Sequence, residues 1–223
     1  MCNRLPGSLL RSRPGGGECA LNSRPGREPA LLAPAGLPRA IGLHSPHGFE
    51  TVEIPPGDAG TEATLSFMLA AIRGEPPFPP VDPRIRELAE DLIVRNGAMT
   101  RGERALIIYE WVRARVLVPQ VRDAEGVEEV RSPGYILDRV AQYGRIPYDC
   151  DDTAILLAAL LRSIGLSTRL VVVSTYASGR EQEFSHVFAE VLTETGWLPL
   201  DPIIGREAGW TVRDVVRREE VPV

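Results

Sequence analysis

Three residues of this 223-residue chain have the types and the order that thiol chemistry needs: Cys150, His186 and Asp201. Cys150 stands in Tyr148-Asp149-Cys150-Asp151-Asp152-Thr153, ahead of an apolar run from Ala154 to Leu161 and the sequence Arg162-Ser163-Ile164-Gly165. This stretch reads as a helix. Asp149 is a favourable N-cap, Asp152 lies three residues on as in a capping box, and Gly165 is a natural C′ terminator. The thiol then falls in the first turn, where unpaired backbone amides and the positive end of the helix dipole favour a thiolate. His186 and Asp201 follow in segments that read as strands, the order of a nucleophile, an imidazole base and a carboxylate that orients it.

The sequence also says how the last two could meet. Thr195 and Gly196 supply a tight turn, and a hairpin centred near Thr195 pairs residues whose numbers sum to roughly 389. His186 then faces a position close to residue 203, with Asp201 two positions away on the same side and within diagonal reach. One local effect opposes the chemistry: Asp149, Asp151 and Asp152 surround the thiol with negative charge. A histidine held as an imidazolium would reverse that, so His186 is needed on electrostatic grounds as well as for proton transfer. Some of the aspartates can instead cap the helix and point away.

The elements that must position these residues are legible in outline. Phe49 to Ile54 reads as a short edge strand ended by Pro55, Pro56 and Gly57. Helices follow over about 62–73, 82–96 and 100–116, with apolar residues at helical spacing, Gly74 and Gly97 as terminators and a Thr100/Glu103 capping box. Residues 123–129 are polar and read as a loop, and Pro133 through Val140 as one or two helical turns. Beyond Gly165 come strands over 168–176, 185–193 and 197–201. Helices first and an antiparallel sheet afterwards make an α+β arrangement. The aromatics of the third helix, Tyr109 and Trp111, read as core, and the arginine pairs Arg113/Arg115 and Arg217/Arg218 as solvated helix faces.

Composition narrows the classes. The net charge of -5 gives no reason to expect nucleic acid as a partner. Residues 1–40 carry six Arg against two Glu, a net +4, which leaves -9 for the remainder. Their six Pro and six Gly cannot bury enough surface to offset ordering, so residues 1–48 are expected to be a disordered basic tail ahead of one domain over 49–223. That domain divides into a helical lead-in over 58–117 and a core over 132–203. No secretory signal and no apolar run of the ~20 residues a membrane span requires are visible, so a soluble, cytoplasmic protein without a membrane partner is expected. Of three cysteines, Cys2 and Cys19 lie in the tail and Cys150 stands alone, which fits a reducing compartment and no metal-ligand spacing. His44 and His47 flank Ser45 and Pro46 and read as a chance pair. The chain contains no lysine.

Tyr-Asp-Cys-Asp-Asp-Thr opening an Ala/Leu helix, Phe-Ser-His-Val-Phe-Ala-Glu-Val, and Trp-Leu-Pro-Leu-Asp-Pro, in that order over about 132–203, resemble the transglutaminase-like superfamily. The resemblance implies a papain-like α+β core and a Cys-His-Asp triad at Cys150, His186 and Asp201, with no cofactor. The compact helical lead-in looks like bacterial and phage members more than animal cross-linking enzymes. The family usually has glycine before its Asp-Cys pair, where Tyr148 stands here. It also implies an oxyanion stabiliser besides the Cys150 backbone amide, for which Trp111, Tyr135 and Tyr143 are the candidates.

The expected activity is thiol-dependent amide hydrolysis or acyl transfer through an acyl-enzyme on Cys150, acting on a peptide or protein that carries a carboxamide. The alternative from another class is a catalytically idle binding or assembly module, as in a phage particle. A competing motif, Asp149-x-Asp151-x-Thr153, matches haloacid-dehalogenase-type phosphatases. These need a buried parallel strand before the first aspartate and a later lysine, and Arg145-Ile146-Pro147-Tyr148 is a poor strand in a chain without lysine.

Overall fold

The helix that opens at the cysteine is the centre of the protein. In the computed structural model, which describes residues 48–116, 127–175, 183–204 and 207–223, α5 (Cys150–Ser163) buries every residue from Asp151 to Leu161. A helix apolar on all sides must be enclosed on all sides. Around it pack α1 (Asp58–Arg73), α2 (Pro83–Asn96), α3 (Arg101–Arg113) and α4 (Pro133–Tyr143), together with β2 (Val127–Arg131), β3 (Thr168–Thr175) and β4 (His186–Thr193).

The main sheet has the order β5-β4-β3-β6, with β5 at Gly196–Leu200 and β6 at Val215–Pro222, and every neighbouring pair is antiparallel. Alternation along the strands sends Leu170, Val172, Val187, Ala189 and Val191 into the core shared with the helices, and Val171, Val173 and Phe188 to the opposite face. A second, two-stranded ribbon joins β1 (Phe49–Glu53) to β2, with Phe49 opposite Arg131. The α+β class, with helices from the first half packed on an antiparallel sheet from the second, is the one the sequence implies.

Local signals set most boundaries. Asp82 caps α2 by accepting from the Arg84 N–H at 2.9 Å, and Thr100 and Glu103 form the expected capping box on α3. Past α5, Gly165 adopts φ 78°, the left-handed conformation that a C′ position favours. Glycine is also required at position 60 in the first turn of α1, where a Cβ would meet the Pro55 carbonyl oxygen at 2.1 Å.

Several expectations change. α1 begins at Asp58, a turn before residue 62; α3 stops at Arg113, and Val116 instead bridges to Ile146; α4 runs on to Tyr143. Residues 127–131, read as part of or next to a polar loop, form β2, because the ribbon needs only one half-buried face and tolerates Glu128 and Glu129. Arg217 and Arg218 lie not on a helix but on β6, an edge strand whose Val-Val-Arg-Arg-Glu-Glu run hides the period of two. Charges on an edge strand discourage pairing with another chain, and here they also bond within the fold: Arg217 to the exposed Asp58 at 2.8 Å, Arg218 to the buried Glu190 at 2.8 Å. The expected tail, apart from Gly48, lies outside the described residues, as do His44, His47, Cys2 and Cys19. Among the described residues no helix is long and apolar enough to cross a membrane.

Leu157 lies midway along α5 and is fully buried. Leu157→Ala leaves a cavity between elements that cannot all close on it and is expected to destabilise the fold by about 2–5 kcal/mol. Urea unfolding followed by far-UV circular dichroism measures this, and a loss of well under 1 kcal/mol would show that α5 is not the packed centre.

Candidate active site

Cys150 is the first helical residue of α5, partly exposed, behind the extended N-cap Asp149. Asp149 Oδ1 accepts the N–H of Asp152 at 3.3 Å, and Thr153 Oγ1 donates to the Cys150 carbonyl at 3.0 Å, so the first turn is pinned on both sides of the thiol. The expected capping box does not close. The Asp152 side chain turns away and accepts from Arg131 Nη1 of β2 at 2.5 Å, fully buried.

His186 opens β4 and Asp201 follows β5. The register pairs Ala189 with Leu200 and Thr193 with Gly196, as the turn at Thr195-Gly196 implies. Beyond the end of β5 the diagonal reach is used: His186 Nε2 lies 2.7 Å from Asp201 Oδ2, with both side chains buried. Asp201 divides its oxygens. Oδ1 accepts the N–H groups of Ile203 and Ile204 at 3.0 and 3.1 Å, the turn a strand-ending aspartate makes, while Oδ2 serves the ring. The Asp201 carbonyl accepts from the hydroxyl of Tyr109, a buried α3 residue whose phenol is pushed up to about 12 by burial and so keeps its donor proton. The imidazole and Cys150 line the same cavity, and with Nε2 committed to Asp201 the nitrogen left for sulfur is Nδ1.

The charges settle in favour of an imidazolium. Burial of His186 lowers its affinity for a proton, but its hydrogen bond to the Asp201 carboxylate and the neighbouring Cys150 outweigh that and raise the ring to about 10. The three aspartates around the thiol are also largely disarmed. Arg131 pairs with Asp152 and faces Asp149. Asp151 is held well above the usual carboxylate range by burial first, then by its hydrogen bond to Asp149 and the neighbouring negative charges, which favours its protonated form. Arg131 itself is kept charged above its ordinary value despite burial, and it bonds Glu129 and lies over the rings of Phe49 and Tyr148 at 5.3 and 5.8 Å.

Cys150 and His186 open onto a cavity of about 470 Å³ whose walls include Ile54, Leu65, Met68 and Phe184, with Glu128, Asp151 and Glu183 as its acidic members. None of the three oxyanion candidates lines it: Trp111 lies beneath Arg115, Tyr135 packs on Phe49, and Tyr143 is exposed on the end of α4. Glu128, Asp149 and Asp151 bring one carboxylate oxygen each within 4.8 Å of one another, the described group that could accept a metal ion; metal spacing in the sequence is read only among the cysteines. Tyr148, in place of the family's usual glycine, is buried with its hydroxyl unpartnered and its phenol pushed up by burial.

Of the residues that sequence reasoning singles out, His186 and Asp201 are hydrogen-bonded, and Cys150 lines the same cavity as His186. That reasoning misses Arg131 and the role of Tyr109. Arg131 lies 21 positions before Asp152 on a strand that the sequence does not reveal, so only tertiary structure joins them.

A family model described as the transglutaminase-like superfamily matches residues 86–202. Among solved structures, a candidate protease from Parabacteroides distasonis is similar at 13% identity and a TM-score of 0.44, over 63% of this chain and 26% of its own. A candidate cysteine protease from Cytophaga hutchinsonii gives 15%, 0.37, 78% and 62%, and a red sea bream transglutaminase 14%, 0.35, 63% and 27%, in the same order. The chain therefore spans about a quarter of the first of these structures and less than two thirds of the second. No curated protein matches the chain.

Two variants test the electrostatics. Arg131→Gln strands the Asp152 carboxylate without its partner at a fully buried position and is expected to cost about 3–5 kcal/mol in urea unfolding; a change of a few tenths would mean that Asp152 is satisfied elsewhere. The raised histidine makes stability depend on pH with a definite sign. The contribution is fully present below the unfolded imidazole value of about 6.5 and is lost as pH rises through about 10. Asp201→Asn removes the charge partner, so the decline in urea midpoint from pH 6 to 10 becomes shallower than in the wild type. Identical slopes in the two proteins would refute the pairing.

Proposed function

Because the chain belongs to the transglutaminase-like superfamily, we propose that it is a thiol-dependent amide hydrolase in which Cys150 is the nucleophile, His186 the acid and base, and Asp201 the residue that orients the ring. The observation that carries this reading is the single imidazole bonded to Asp201 at 2.7 Å and sharing the wall of one cavity with Cys150. The substrate is a peptide or protein presenting a carboxamide.

In the reaction the Cys150 sulfur, its proton transferred to His186, attacks the carboxamide carbonyl. The carbonyl oxygen gathers charge and is met by the Cys150 backbone N–H at the helix start. The C–N bond then breaks, the imidazolium gives its proton to the departing nitrogen, and a thioester remains. Water resolves it, losing a proton to His186 as it attacks, which releases a carboxylic acid and restores the thiol. An amine in place of water would give acyl transfer. With no lysine of its own, the chain cannot become its own side-chain acceptor.

Iodoacetamide is expected to label Cys150 rapidly and stoichiometrically, and His186→Ala to abolish the rapid phase and lower turnover by about a hundredfold or more. Slow labelling that His186→Ala leaves unchanged would instead indicate an idle binding module. Ammonia release from glutamine peptides that persists with an added primary amine, and no incorporation of that amine, is the hydrolytic result. Incorporation would reassign the enzyme to acyl transfer.

A further inference from the structure

The two ends of α5 are built differently, and the far end holds positive charge that the fold does not use. Between α2, α3 and the end of α5 lies a cavity of about 650 Å³ whose charged members are Arg86, Glu90, Arg104 and Arg162. Glu90 is engaged by Arg86 at 2.7 Å. Arg104 Nε is buried without a hydrogen-bond partner, and among the described residues neither Arg104 nor Arg162 forms an ion pair. Three guanidiniums against one carboxylate leave two positive charges uncompensated.

The ordinary duty of arginines at a helix C-terminus is to satisfy its last carbonyls. Here that duty is already discharged. Ser163 Oγ donates to the Leu160 carbonyl at 2.7 Å, the Leu166 N–H to that of Leu161 at 3.2 Å and the Gly165 N–H to that of Arg162 at 2.9 Å. A buried donor without an acceptor is costly, so Arg104 Nε is open to an acceptor from outside the chain. Ile93 and Ile164 line the same cavity and lower the local dielectric, which strengthens attraction for an anion.

We propose that this cavity binds a phosphate-type dianion, gripped between Arg104 and Arg162. Two guanidinium forks match the charge and the oxygen spacing of one phosphoryl group. The site is a helix length from Cys150, about 20 Å at 1.5 Å per residue over α5, so its ligand does not take part in the thiol chemistry.

The test is titration of the full-length protein by calorimetry at constant ionic strength with inorganic phosphate, glycerol 3-phosphate, acetate and chloride. Inorganic phosphate or the phosphomonoester is expected to bind saturably, with the affinity reduced about tenfold or more in both Arg104→Gln and Arg162→Gln. Arg162 is exposed, so its variant is expected to keep the wild-type circular dichroism and melting temperature in the absence of ligand. Tighter binding of glycerol 3-phosphate identifies a phosphomonoester as the ligand, and tighter binding of phosphate identifies the free ion. No saturable heat with either, equal binding of acetate or chloride, or unchanged affinity in the two variants would overturn the proposal.

Discussion

The interaction on which the rest depends is the buried pair of Arg131 and Asp152. α5 is packed on every side, yet its first turn carries Asp151 and Asp152 fully buried behind the half-buried Asp149, and carboxylates cannot enter an interior alone. Arg131 answers Asp152 directly at 2.5 Å and Asp149 through its field, and the proton favoured on Asp151 answers the third. The Arg131 pair requires β2 to lie over the helix start, which the β1–β2 ribbon provides. Without them the first turn would be forced outward and the thiol would lose its register with the sheet.

The sheet side of the site is held by economy with one residue. Asp201 ends β5 with an Asx turn through one oxygen and fixes the His186 ring through the other, while its carbonyl is tied to α3 by Tyr109. A ring anchored by β4, β5 and α3 together cannot swing freely, which is the preorganisation that general acid and base chemistry needs. Its raised proton affinity follows from the same contacts, so orientation and charge are set by one arrangement.

How much of this was legible depended on whether the signal was local. The α5 caps, the Thr100/Glu103 box and the Thr195-Gly196 turn are written in neighbouring residues, and from them the meeting of His186 with Asp201 followed by strand arithmetic. β2 and β6 were not legible, because Val-Glu-Glu-Val-Arg and Val-Val-Arg-Arg-Glu-Glu are shaped by ribbon and edge positions where one face is wet and the period of two is blurred. Arg131 was hidden with its strand. The three aspartates read as a threat to the thiol only because their compensation comes from a distant segment.

The absence of lysine acquires a physical reason at these sites. Arg131 divides its nitrogens between Asp152 and Glu129 while its plane lies against Phe49 and Tyr148, and Arg169 does the same between Glu190 and Glu220 with its plane 4.0 Å from the centre of the Trp197 ring. Lysine offers one strongly hydrated point charge and can give up its proton when buried; it could neither span two carboxylates in a plane nor stay charged as surely between aromatic rings. The planar, permanently charged group is therefore what lets this fold keep acids inside beside a thiol, and substituting lysine at position 131 would preserve formal charge while removing the geometry that makes the charge useful.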